Sequence, residues 1–229
     1  MRFSDLNWFD VEGYLEKEDR VMLVLGACEQ HGYLSLLTDV NIPLALADAA
    51  SQQTGVLVAP PVNYGVSPYF EAYPGTVSLR SETFLNLVGE VVRDLARQGF
   101  GRILVLNGHG GNHVARTGLY EVLNEVGDLR ISWYEWWTSP GVQAVAQTHD
   151  LKPAHASWLE AFSFNIVAEL PEGEKTPPYV PGLLSAEKLR ELYGDGSFGG
   201  SYRASEEIMQ EIFTAALEDV LQKLTFSRP

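Results

Sequence analysis

The chain has 229 residues and a formal net charge of −14, with 45% hydrophobic and 20% charged residues. That apolar content excludes global disorder, and the acidic balance argues against nucleic acid or an anionic membrane as partners. The single cysteine, Cys28, cannot form an intramolecular disulfide, and no apolar leader or membrane-length run is present, so a cytoplasmic protein is expected.

Residues 21–26 read VMLVLG, a short apolar run closed by glycine, which predicts a strand buried on both faces. A helix is expected over 40–53, with Pro43 in its first turn. GVLVAPPV at 55–62 predicts a second buried strand ending at paired prolines. A Gly/Pro/aromatic loop follows at 63–80, long enough to suggest a functional role. The clearest helix is 82–98, with Ser81 as its cap and Gly99 as its stop. RILVL at 102–106 predicts the next strand, 112–126 a helix, and 129–134 a further strand. Helices are expected over 156–169 and 205–224, the last capped by Ser205. Buried strands alternating with helices predict one domain over residues 1–229, a three-layer α/β/α sandwich with a largely parallel central sheet. In such folds the functional site lies at the carboxyl ends of the strands.

The chemistry-bearing residues cluster there. GACEQHGYLSLLTD follows the first strand, and Glu29 and His31, two apart, share a face in extended chain. Asp39 returns ten residues after Glu29. Each alone is an ordinary loop residue; as a trio of oxygen and nitrogen donors they suit zinc, manganese or iron. NGHGGNH at 107–113 follows another strand and sets His109 among glycines that allow a sharp turn. His113, on the helix that follows, suits capping or packing as well as ligation. HASWLEAF at 155–162 places His155 at a helix cap and Glu160 one turn in, as either a site or a surface helix. Of the five histidines (His31, His109, His113, His149 and His155), four lie in these motifs.

With EQHGYLSLLTD from Glu29, YPGT at 73–76, NGHGGN at 107–112 and HASWLE at 155–160, the sequence resembles the creatininase family over about residues 20–165. The resemblance implies a two-metal centre in a homo-oligomer acting on a small-molecule substrate. Glu29 and His109 would bind one metal, His31 the other, and Asp39 would bridge them. Glu160 would complete the second site, and His155 would handle protons. Three departures stand out. The family's second histidine and its proline are replaced within Tyr33–Leu36, a stretch one residue short. Gly111 stands where creatininase proper has glutamate. Ser157, Ala161 and Phe162 replace the usual residues around the late glutamate. Creatinine itself is therefore not the expected substrate.

The expected chemistry is hydrolysis of an amide-type C–N bond, in a cyclic amide or formamide, with one or two divalent metals and with His155 passing a proton to the leaving nitrogen. Tyr64, Tyr69, Phe70 and Tyr73 are candidates to cover a small ring. Trp133, Trp136 and Trp137 suit either that role or a subunit contact. The alternatives are a one-metal deformylase or lactone hydrolase, and a non-catalytic domain binding a metal or small ligand.

Overall fold

The structure, a computed structural model, describes residues 1–227. Four parallel strands form the central sheet: β1 (Arg20–Leu25), β2 (Leu57–Val58), β3 (Arg102–Asn107) and β4 (Arg130–Glu135), in the order β2-β1-β3-β4. The helices are α1 (Trp8–Leu15), α2 (Thr38–Thr54), α3 (Ser81–Gln98), α4 (His113–Glu125), α5 (Pro140–Thr148), α6 (Ala186–Tyr193) and α7 (Glu206–Leu224). A small antiparallel pair, β5 (Glu174–Lys175) and β6 (Gly200–Ser201), lies outside the main sheet.

The apolar strands are buried on both sides because side chains alternate across a sheet. Met22, Val24, Leu104 and Leu106 face α2, α5 and α7. Val21, Leu23, Leu25, Ile103 and Val105 face α3 and α4. The three-layer α/β/α sandwich follows from that division. Among the described residues no helix is long and apolar enough to cross a membrane.

Several elements depart from the expected bounds. Only Leu57–Val58 of 55–62 is strand, because the prolines that follow cannot donate to the ladder; Val62 rejoins as an isolated bridge to Leu25. Ser81 is the first residue of α3 rather than its cap, which is Arg80 in extended conformation. Short α1, α5 and α6 gave no sustained apolar period, although Asn7, Ser139 and Ser185 cap them.

The helix expected over 156–169 is absent. Ala156 adopts a left-handed φ of 51°, and only Trp158–Glu160 makes a 3-10 turn. The chain then runs beside the first motif, with Ser35 N–H donating to the Asn165 carbonyl and Leu34 bridging Ile166. Trp158, Leu159 and Phe162 are buried as a helix face would be, but tertiary hydrogen bonds hold the backbone elsewhere.

Helix α2 begins two residues earlier than expected, so Asp39 lies in its first turn and Pro43 inside it. Pro43 has no N–H for the Asp39 carbonyl. That carbonyl packs against the ends of β1 and β3, where only glycine fits. A Cβ on Gly108 would lie 1.9 Å from Asp39 O, and one on Gly26 would lie 2.4 Å from Val40 Cγ2. These two glycines seat the amino end of α2, and with it the Asp39 carboxylate, over the sheet. Gly108→Ala is expected to lower unfolding free energy by about 1–3 kcal/mol. Gly110→Ala, where an added Cβ meets nothing within 4 Å, is the matched control. Denaturant titration of the two variants checks the difference; equal stabilities would refute the seating role.

Candidate metal centre

The six residues singled out in the sequence converge at the carboxyl edge of the sheet. Glu29 and His31 lie just past β1, Asp39 opens α2, His109 lies just past β3, and His155 and Glu160 come from the segment before and within the short 3-10 turn. Glu29, His31, Asp39 and His109 are almost wholly buried. Two donor trios share Asp39: Glu29, Asp39 and His109 form one, and His31, Asp39 and Glu160 the other. Asp39 Oδ2 lies 2.9 Å from His109 Nδ1, and Asp39 Oδ1 lies 3.1 Å from His31 Nε2. Glu29 Oε2 is 3.6 Å from His109 Nε2, and Glu160 Oε2 is 3.9 Å from His31 Nε2. A third trio joins Glu29, His31 and His155.

The backbone fixes both imidazoles. His31 Nδ1 lies 3.0 Å from the Glu29 carbonyl, and His109 Nε2 lies 3.0 Å from the Val66 carbonyl. A carbonyl only accepts, so each of those nitrogens carries a proton. The other nitrogen of each ring turns toward Asp39 without making a hydrogen bond. Among the described residues, Glu29 Oε2, His31 Nε2 and Asp39 Oδ2 are buried with no hydrogen-bond partner. Buried polar atoms are rarely left so. Lone pairs facing lone pairs across about 3 Å need a proton or a cation between them, and this oxygen–nitrogen set suits a divalent ion.

The protein's own charges are strongly coupled here. Burial pushes Glu160 up to about 7, and burial likewise raises Glu29. Burial works against charging His31, but Asp39 and Glu160 beside it raise it to about 10. His109 is raised to about 9, against burial, by Glu29 and Asp39. Burial, then the neighbouring His31 charge, hold His155 well below its ordinary value. Those raised histidines mark sites of strong negative potential.

The cluster opens into a cleft of about 630 Å³ walled by Tyr69, Phe70, Trp137, Leu159 and Phe198; among the described residues no lysine or arginine lines it. Of the candidate covering aromatics, Tyr69 and Phe70 line the cleft, Tyr64 is exposed and Tyr73 is buried behind Phe70. The tryptophans do not form a surface patch: Trp136 is core and Trp137 is cleft wall. His113 turns outward to Glu135, and His149 pairs with Glu211, away from the cluster. Gly111 has no room for a side chain, since a Cβ would lie 1.9 Å from Val66 O.

Several supporting residues were not singled out in the sequence. Asn107 Nδ2 donates to the His109 carbonyl, and Asn112 Nδ2 donates to Gly26 O and Asn107 Oδ1, pinning the glycine-rich turn. The Ser67 hydroxyl lies 3.1 Å from His109 Nε2, beside the hydroxyl of the already named Tyr69 at 3.3 Å. Lys175 binds the Tyr193 carbonyl, the Asp195 carboxylate and the Ser197 carbonyl, which fixes the loop carrying Phe198. The asparagines had a signal in their place beside His109. The others come from distant chain and had none.

A family model described as creatinine amidohydrolase matches residues 4–224. Creatinine amidohydrolase of Pseudomonas putida is 35% identical over 116 residues, covering 48% of this chain and 45% of that protein. Mycofactocin precursor peptide peptidase of Mycolicibacterium smegmatis is 39% identical over 114 residues, covering 47% and 46%. The matched stretches thus span about half the length of these curated relatives. Among solved structures, a substituted creatininase superposes with a TM-score of 0.83 at 23% identity, covering 97% of this chain and 96% of that one. A structure titled as creatininase with Mn gives 0.78 at 24% identity over 97% and 96%. At these identities the structures speak to fold.

The Lys175–Asp195 pair gives a pH-dependent test of the loop. Burial alone raises the Asp195 carboxyl, but hydrogen bonds from Lys175, Tyr202 and the Ser197 N–H outweigh it and hold it below its ordinary value. A lowered carboxylate stabilises the fold above its unfolded pKa of about 3.9, and the contribution is lost as pH falls through the folded value. Lys175→Met is therefore expected to lower stability by about 1–3 kcal/mol at pH 7. The deficit should shrink below pH 3. Urea titrations at the two pH values measure it, and a pH-independent deficit would contradict the assignment.

Proposed function

The chain belongs to the creatininase family, and from that premise we propose that it is a metal-dependent hydrolase that cleaves an amide-type C–N bond in a small molecule. The observation that carries the reading is the pair of buried donor trios sharing Asp39, with unpartnered lone pairs, at the floor of an aromatic cleft. Glu29, Asp39 and His109 would hold one divalent cation, and His31, Asp39 and Glu160 a second. The cation supplies Lewis acidity there, lowering the pKa of water and polarising a carbonyl.

The chain's own residues do the rest. The Val66 and Glu29 carbonyls hold His109 and His31 in the tautomers that face Asp39. Tyr69, Phe70, Trp137 and Phe198 wall the cleft against water and present flat apolar surface to a planar group. His155 is the catalytic side chain of the reading: it lines the cleft, and its Nδ1, 3.8 Å from Glu29 Oε1, would face the reacting atoms. A cleft lined, among the described residues, by no lysine or arginine favours a neutral substrate over an anionic one. Similarity to a protein named as a peptidase keeps short peptides among the C–N bonds to be tried. A cytoplasmic homo-oligomer belongs to the same proposal; exposed Trp8, Phe9 and Leu183 are surfaces a subunit contact would cover.

Metal analysis and a substrate panel test this. Purified protein is expected to carry one or two zinc or manganese ions per chain. Asp39→Asn should empty both sites, whereas Glu160→Gln should empty one. Cyclic amides, formamides, lactones and short peptides form the panel. Hydrolysis of an amide member should vanish with chelator and return with metal. Full metal content in Asp39→Asn, or turnover confined to lactones, would sink the reading.

A further inference from the structure

Gln30 sits in sequence between the two donors Glu29 and His31. It is 5% exposed. Its amide has three neighbours. The Gly32 N–H donates to Oε1 at 3.1 Å, and Nε2 donates to the Gly196 carbonyl at 3.1 Å. The third neighbour is His155 Nε2, 3.0 Å from the amide nitrogen.

The first two contacts leave one orientation for the amide. Turned over, its oxygen would face the Gly196 carbonyl and its NH₂ would face the Gly32 N–H, so both contacts would become repulsive. In the orientation that remains, the second N–H of Nε2 points at His155, whose Nε2 must accept it. A proton on His155 Nε2 would set donor against donor.

From this we infer that Gln30 is a positioning residue that fixes His155 as a neutral imidazole with its proton on Nδ1. Nδ1 is the nitrogen 3.8 Å from Glu29 Oε1. His155 then acts as a hydrogen-bond donor to the atom that gathers negative charge, as preorganised donors do. An imidazole already protonated on Nδ1 and engaged at Nε2 has no free lone pair with which to collect a proton. On this inference His155 donates a hydrogen bond in place of the proton-passing role implied by the family resemblance. The same constraint removes the third donor trio, because His155 could ligate through Nδ1 only by moving its proton to Nε2, against Gln30.

The surroundings hold this arrangement. The His155 ring lies parallel to Phe70, with centroids 4.9 Å apart and planes 20° apart, and against Phe198 at 4.8 Å. The Phe198 N–H donates to the His155 carbonyl at 3.0 Å. Gly196 has φ +93°, and a Cβ there would fall 1.7 Å from Gln30 Oε1, so glycine alone brings its carbonyl to the amide.

The inference rests on the proposed function only in calling His155 catalytic, and its test needs no substrate. The full chain as purified, labelled with ¹⁵N-histidine, gives long-range ¹H–¹⁵N correlations that report the tautomer of each ring. The five histidines make assignment tractable, with His155→Ala identifying its own signals. The expected spectrum shows His155 protonated on Nδ1 alone. Protonation on Nε2, or on both nitrogens, overturns the inference in the unmodified protein. Gln30→Glu replaces the donor by an acceptor of the same shape and is expected to move the proton to Nε2 or to add one there. Gln30→Met, which offers neither, is expected to give a mixture of tautomers. A His155 spectrum unchanged in either variant would show that Gln30 does not set the tautomer.

Discussion

A buried carboxylate held between two imidazoles is the constraint around which the rest of the molecule is arranged. Asp39 turns one oxygen to His31 and the other to His109, and neither contact is a hydrogen bond. Burying a carboxylate is costly unless compensating charge lies close by. The protein brings that compensation from two separate stretches of chain, His31 just past β1 and His109 just past β3. The parallel sheet supplies the frame, because consecutive strands deliver their loops to one edge. Gly26 and Gly108 then let α2 settle on that edge, so the carboxylate reaches the centre from above.

Around this charged floor the cleft is apolar. Aromatic walls lower the local dielectric, which strengthens each charge interaction beneath them. Among the described residues of the lining, only histidine opposes the negative potential of Glu29, Asp39 and Glu160. The acidic balance of the whole chain therefore has a local counterpart at the centre, although the −14 net charge by itself would not have located it.

Much of this was legible in the sequence. Apolar runs at 21–26 and 102–106 predicted β1 and β3, and the histidines and carboxylates just past them predicted where donors gather. The pattern worked because strand ends and donor types are both local properties. It failed where tertiary contacts decide the backbone. The spacing of Trp158, Leu159 and Phe162 imitates a helical face, yet Phe198 N–H holds the His155 carbonyl and the Ala156 N–H is taken by Glu160 Oε2. Those contacts hold Ala156 in a left-handed conformation and end any helix. Gln30, Ser67, Lys175 and Asp195 went unremarked for a related reason. Their side-chain types are common, and the partners that give them meaning lie up to 166 residues away.

The segment carrying Gly194, Gly196, Gly199 and Gly200 reads as flexible chain. Lys175 nevertheless ties down three of its acceptors, and Tyr193 stacks on Phe198 with centroids 4.4 Å apart. Its conformational entropy is thus surrendered during folding, before any ligand arrives. A molecule entering the cleft meets His155 already aimed, and little of its binding energy is diverted to ordering the wall. The glycines here buy rigidity: all four take left-handed φ values, Gly196 and Gly199 also permit close approaches that a larger residue would forbid, and the result is a wall that does not need to move.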